Sequence, residues 1–237
     1  MDYLDRLDRF RKILSLTVNR AKTITASEKQ PGFVAAIRHT HMKEWGQQML
    51  DLMHVECRVQ GTPVTDQPIL FVGNHISYVD IPLLMANVPV VFVAKRQLER
   101  WPVFGKACRS VGVVMVDRDS KNSRSNTAEK VGQCIVQSKQ SVALFPAGTT
   151  RLDESRQWRW GAFKIAQQFG IPVQPFRLSF EPLRKVAYID DDAFVPHLWH
   201  LLGEEKIHAK LHFHAPITID DPERDCEKWW QWSRGTV

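Results

Sequence analysis

Three short stretches hold residue types that can do chemistry. In Phe71-Val72-Gly73-Asn74-His75-Ile76-Ser77-Tyr78-Val79-Asp80 an apolar run stops at Gly-Asn, a histidine follows at once, and an aspartate comes five residues after it. On one continuous helix His75 and Asp80 would point in different directions, because facing positions are three or four apart. Across a strand-to-helix turn they can converge. A carboxylate that accepts the Nδ1 proton fixes the imidazole tautomer and leaves Nε2 free as a general base. The plainer alternative is a loop histidine followed by an aspartate that caps the next helix, with Pro82 in its first turn. The second stretch is Pro146-Ala147-Gly148-Thr149-Thr150-Arg151, directly after the apolar run 142–145. Backbone N–H groups, two hydroxyls and a guanidinium there can hold a phosphate. The third is 111–118, read as a buried strand that ends by presenting Arg118. Behind these comes Ile171-Pro172-Val173-Gln174-Pro175, a strand entry stiffened by two prolines.

Something must position these residues. From residue 54 onward, β-rich runs at 54–59, 69–72, 90–94, 111–116, 142–145, 173–178, 185–189 and 210–213 alternate with helical patterns at 82–87, 101–110, 125–139 and 160–169. Alternation of this kind predicts crossover connections and a parallel sheet. The expected fold is therefore one α/β domain over 54–237, with a largely parallel central sheet flanked by helices. Ahead of it, 1–53 reads as an N-terminal amphipathic helical segment. Leu4, Leu7, Phe10, Leu14 and Val18 recur at helical spacing, and a second pattern runs through Val34, Ile37, Trp45, Met49 and Leu52. Arg6, Arg9, Arg11, Arg20 and Lys22 lie near the first stripe, which suits either packing on the domain or an interfacial helix.

Composition narrows the partners. The net charge is +6, and its distribution is uneven: 95–160 holds thirteen basic and six acidic residues, while 181–237 holds seven basic and eleven acidic. One surface is expected to meet anions. Nucleic acid is not expected, since binding modules interleave aromatics with basic residues along a face, and Trp158-Arg159-Trp160 is the only good local example. The four cysteines (Cys57, Cys108, Cys134, Cys226) form no CxxC pair, which argues against a zinc site or a disulfide framework. His212 and His214 alternate as on one strand face but have no third ligand in view. The longest uncharged run, 81–94, contains two prolines and falls short of the roughly 20 apolar residues a membrane span needs.

Taken in order, these blocks resemble the glycerophospholipid acyltransferase family that includes 1-acylglycerol-3-phosphate acyltransferases. That family carries a histidine and aspartate five apart, a glycine-led strand ending in arginine, an FPEG[TS] loop and a proline-rich strand. Here they are His75 with Asp80, Gly112 through Arg118, Phe145-Pro146-Ala147-Gly148-Thr149, and Ile171 through Pro175. The resemblance covers about 55–220. It implies a glycerol-3-phosphate acyltransferase-like fold, and acyl transfer from acyl-CoA or acyl carrier protein to a lysophospholipid hydroxyl, with 1-acylglycerol-3-phosphate as the first candidate. A lyso-ornithine lipid acceptor, or a lipid-binding protein of low turnover, stands as the alternative. It further implies His75 as base, Asp80 as its orienter, and Arg118 with Gly148, Thr149, Thr150 and Arg151 as the acceptor-holding group. It implies no metal, no cofactor and no covalent acyl-enzyme. The expected location is peripheral, at the cytoplasmic face of a membrane. One departure stands out. Ala147 occupies the position where the family has glutamate, and Asp153 and Glu154 are the nearest downstream carboxylates.

Overall fold

The computed structural model describes residues 2–28, 35–101, 103–116, 123–189 and 191–235. Two long helices lead, α1 (Tyr3–Ser27) and α2 (Ala35–Leu52). Then come β1 (Val55–Gln60), β2 (Leu70–Gly73), α3 (Asp80–Asn87), β3 (Val90–Lys95), a 3-10 turn at Arg96–Arg100 and α4 (Phe104–Ser110). The middle of the chain continues with β4 (Val114–Val116), α5 (Ser123–Val136), β5 (Ser141–Leu144) and α6 (Gly161–Phe169). The last part holds β6 (Val173–Glu181), α7 (Leu183–Val186), α8 (Phe194–Leu201), β7 (Ile207–Phe213) and α9 (Pro222–Arg234).

The strands form one seven-stranded sheet in the order β1-β7-β6-β2-β5-β3-β4. Only β6 and β7 pair antiparallel; every other neighbouring pair is parallel. The expectation of a largely parallel sheet flanked by helices therefore holds. The chain leaves β2 toward β3 on one side and leaves β5 toward β6 on the other. In open α/β sheets a crevice forms at the carboxyl ends of strands where the winding direction reverses, here β2 and β5. These are also the most buried strands. Leu70, Phe71, Val72 and Val142 expose nothing, as continuous apolar runs in a two-sided sheet require. Right-handed crossovers of opposite sense put α3 on one face and α6 on the other. Accordingly α1, α2 and α4 gather with α3, while α5 and α9 gather with α6.

Several expectations need correction. The run 111–116 is not a buried central strand: only Val114–Val116 pairs, at the sheet edge, and Val114 and Met115 are half-exposed. Residues 185–189 form no strand. Both edges of β6 are already taken by β2 and β7, so this segment folds back and Tyr188 N donates to Ile76 O at 3.1 Å. In α1 the face turned inward is Arg9, Ile13, Thr17, Ala21 and Ile24, not the stripe that begins at Leu4, which is 69% exposed. Arg9 can be buried because its guanidinium donates to Leu52 O and Leu202 O and pairs with Asp5. The helices α8 and α9 were not expected from the pattern at all.

Candidate active site

Strand β2 ends at Gly73, where the chain lies tight against Phe176 of β6. A Cβ at this position would lie 2.4 Å from the Phe176 ring. Asn74 then anchors the strand end. It is 4% exposed, its Nδ2 donates to Leu178 O at 2.8 Å, and its Oδ1 accepts from Leu178 N at 2.7 Å. The next residue, His75, is thereby aimed off the sheet toward the α1–α4 side.

His75 and Asp80 meet. His75 Nδ1 lies 2.7 Å from Asp80 Oδ2, and the carboxylate is completely buried. Asp80 does not cap α3 as a helix-capping aspartate would. Its Oδ2 instead reaches back to accept from Ile76 N at 2.7 Å and Ser77 N at 3.1 Å. Three donors converge on one oxygen, which is how a buried charge is made tolerable. A carboxylate only accepts, so Nδ1 carries the proton and Nε2 is left as the basic nitrogen. The imidazole lies flat on Phe145, with ring centroids 4.0 Å apart and planes 10° apart. Between them, Asp80 and Phe145 fix the ring.

His75 opens onto an apolar cavity of about 560 Å³ that runs between α1, α2, α3 and α4. Ile24, Met49, Met85, Phe104 and Val111 line it, together with His75, Gly148, Thr149 and Thr150. The β5 loop turns sharply at Gly148, whose φ of +75° suits glycine. It is stitched to the site by Arg151 N donating to His75 O at 2.9 Å. The Arg151 Nε is buried without a hydrogen-bond partner among the described residues. Of the sequence-predicted residues, the structure brings together His75, Asp80, Gly148, Thr149, Thr150 and the Arg151 backbone; Arg118 lies outside the described residues. Trp101 and Phe104 also line the cavity.

Several contributors were missed. Tyr78, between the two motif residues, packs on Tyr188, Phe194 and His197, and its hydroxyl lies 2.9 Å from His197 Nδ1. His197 Nε2 donates to Ala187 O at 3.0 Å, so Nδ1 must be the acceptor and Tyr78 the donor. Burial holds the Tyr78 phenol well above its usual range and pushes His197 below the ordinary histidine value. Phe145 and Asn74 stood inside the quoted motifs but had no part assigned. The thiols offer no nucleophile, since burial raises all four, Cys57 up to about 11 and Cys226 to about 12. Among the described residues no cluster of three His, Cys, Asp or Glu side chains is placed to hold a metal ion. His212 and His214 pack on Trp232 and Trp229 instead.

A His–Asp pair with a buried carboxylate, lining an apolar cavity at the switch point of a parallel sheet, defines a site built for a lipid-like substrate. Residues 54–179 match the family model for acyltransferases, and the chain belongs to the acyltransferase family. It is 29% identical over 218 residues to a lyso-ornithine lipid O-acyltransferase of Pseudomonas aeruginosa, covering 90% of this chain and 83% of that protein. It is also 29% identical over 144 residues to a 1-acyl-sn-glycerol-3-phosphate acyltransferase of Neisseria meningitidis, covering 60% and 56%. The crystal structure of the 1-acyl-sn-glycerophosphate acyltransferase PlsC from Thermotoga maritima superimposes with a TM-score of 0.73 at 19% identity, over 98% of this chain and 93% of that one. The fold is shared.

Proposed function

We propose that this acyltransferase moves a fatty acyl group from a carrier thioester, acyl-CoA or acyl carrier protein, to the free hydroxyl of a lysolipid. The observation that carries the reading is the imidazole, oriented by Asp80, in the lining of the apolar cavity. His75 Nε2 takes the hydroxyl proton as the acceptor oxygen attacks the thioester carbonyl. Asp80 stabilises the imidazolium. The tetrahedral intermediate then expels the thiolate, which recovers the proton from His75. The products are an ester and a free thiol, and no acyl-enzyme is needed. The acyl chain lies in the cavity, while Thr149, Thr150, the Arg151 guanidinium and Arg118 hold the acceptor head group.

Two acceptors are in view. The motif resemblance points to 1-acylglycerol-3-phosphate. A lyso-ornithine lipid is favoured by the likeness to a lyso-ornithine acyltransferase over 90% of the chain, together with Ala147 in the acceptor loop. The protein acts from the membrane surface, at its cytoplasmic face. No helix among the described residues is long and apolar enough to cross a membrane. The outer edge of α1 exposes Tyr3 and Leu4 beside Arg11 and Lys12, which suits an interfacial helix. The test is free-thiol release by purified protein, with both carriers and both acceptors. Release that depends on one acceptor assigns it. A folded protein that releases no thiol with any pairing overturns the reading.

A further inference from the structure

We infer that His197 is a positioning residue for the reaction: it starts a chain of hydrogen bonds that ends on the Asp80 carboxylate, and so sets how Asp80 holds the His75 ring. This rests on the reading of His75 as the base. The links are consecutive. His197 Nε2 donates to Ala187 O at 3.0 Å. The same peptide unit carries Tyr188 N–H on its other side, which donates to Ile76 O at 3.1 Å. The Ile76 carbonyl in turn shares its peptide unit with Ser77 N–H, which donates to Asp80 Oδ2 at 3.1 Å. His75 Nδ1 lies 2.7 Å from that same oxygen. The chain also closes on itself. Tyr78, from the turn between His75 and Asp80, donates its hydroxyl to His197 Nδ1 at 2.9 Å.

Hydrogen bonds linked head to tail through peptide units polarise one another, each strengthening the next by about 10–30%. The Asp80 carboxylate is held by two peptide units, and both are backed from outside. The 75–76 unit donates Ile76 N–H to Oδ2 at 2.7 Å and accepts from Arg151 N at the His75 carbonyl, at 2.9 Å. The 76–77 unit is backed by Tyr188, and behind Tyr188 stands the His197 side chain. An imidazole suits this place because a neutral ring accepts at one nitrogen and donates at the other. Burial lowers the His197 pKa, which keeps Nδ1 an acceptor for Tyr78. Packing alone would ask only for an apolar side chain, as at Leu198 and Leu201 of the same helix, both 1% exposed.

The experiment compares His197→Leu, which removes the donor, with His197→Gln, whose amide nitrogen can stand where Nε2 does and keep donating to Ala187 O. It reads kcat and KM for thiol release, and the Nδ1–H proton resonance of His75, assigned by its loss in His75→Ala. His197→Leu is expected to lower kcat about tenfold, short of the roughly hundredfold that a 1 Å misplacement costs, with little change in KM, and to shift the resonance. His197→Gln should stay within about threefold of native with an unshifted resonance, since the donor survives. Should the leucine variant fail to fold, Tyr78→Phe removes the closing hydroxyl and frees the imidazole tautomer, and should shift the same resonance with a smaller kcat loss. A native resonance and native kcat in folded His197→Leu, or in Tyr78→Phe where that variant stands in, would overturn the inference. Equal losses in the leucine and glutamine variants, or an effect confined to KM, would overturn it too. Native protein inactive with every substrate would sink the proposed function instead, because the resonance reports the chain without any turnover.

Discussion

His75 and His214 are placed alike in several respects, yet only one sits in a reaction site. Each follows a strand by one or two residues, and each lies against an aromatic ring: His75 on Phe145 at 4.0 Å, His214 on Trp229 at 4.5 Å. Each has Nδ1 near an oxygen, which leaves Nε2 uncommitted. The oxygens differ. His75 faces a fully buried carboxylate held by two further backbone donors, and His214 faces the backbone carbonyl of Ala215 at 3.0 Å. A neutral carbonyl fixes a tautomer but does little for the imidazolium that forms when a base takes its proton. The second difference is space: His75 opens onto the cavity, and His214 lies beneath α9. A poised ring needs a charged partner and somewhere for substrate to lie.

The largest effects should come from removing that contrast. His75→Ala is expected to cut kcat about 10²- to 10⁴-fold, the range for a positioned general base, with a melting temperature close to native. Asp80→Asn makes the first site resemble the second, giving the ring a neutral acceptor. Its kcat should fall by about 10²-fold or more while KM changes little. Near-native turnover in either variant would show that the charged partner is not what distinguishes the two rings. The space can be reduced separately. Ala94→Phe puts a ring into the cavity wall and should raise KM for long acyl chains more than for short ones. Each displaced buried methylene is worth about 0.8 kcal/mol, or roughly fourfold in affinity. A panel of acyl-CoA chain lengths reads this, and an equal effect at every length would place the chain elsewhere.

The contrast was partly legible in the sequence. His75 and Asp80 could be paired because their spacing straddles a strand end and a helix start. That Asp80 would turn backward, toward Ile76 and Ser77, depends on how the turn closes, which residue types alone do not specify. His197 went unread because its tie to the site runs through the backbone of Ala187 and Tyr188, which no spacing of residue types reveals. The helix α9 had local signals that went unread. Asp221 caps it by accepting from Glu223 and Arg224 N–H, Pro222 follows in the first turn, and Gly235 closes it. The run 185–189 was misread as a strand because alternation shows that a segment can pair, not that an edge is free for it. The stripe in α1 was misplaced for a related reason. Pattern reading takes the core face as the purely apolar one, whereas Arg9 and Thr17 point inward with their hydrogen bonds met.

A third imidazole sharpens the comparison through pH. His197 is neutral, accepting from Tyr78 and donating to Ala187 O, and burial lowers its pKa. The unfolded chain titrates near 6.5. Below that value the unfolded state takes up a proton that the folded state resists, so this contribution to stability is full above pH 6.5 and is lost as pH falls toward the depressed folded value. The melting temperature of native protein should drop on going from pH 7.5 to 5.5, and less so for His197→Gln. Equal slopes for the two proteins would remove His197 from the account.

The smallest expected effect belongs to His214. Its ring packs edge-on against Trp229 and, at 5.8 Å, against Trp232, so it joins β7 to α9. Such aromatic contacts contribute about 0.5–1.5 kcal/mol beyond the area they bury. In a chain of this size each kcal/mol shifts the melting temperature by about 2–4 °C. His214→Ala should therefore melt a few degrees lower and transfer acyl groups at a rate within about twofold of native. Any larger kinetic loss would have to travel from α9, whose Trp230 Nε1 donates to Glu154 O, along the loop whose Arg151 N donates to His75 O. A tenfold loss in kcat would mean that the two histidines are coupled, and the division between a reacting ring and a packing ring would no longer stand.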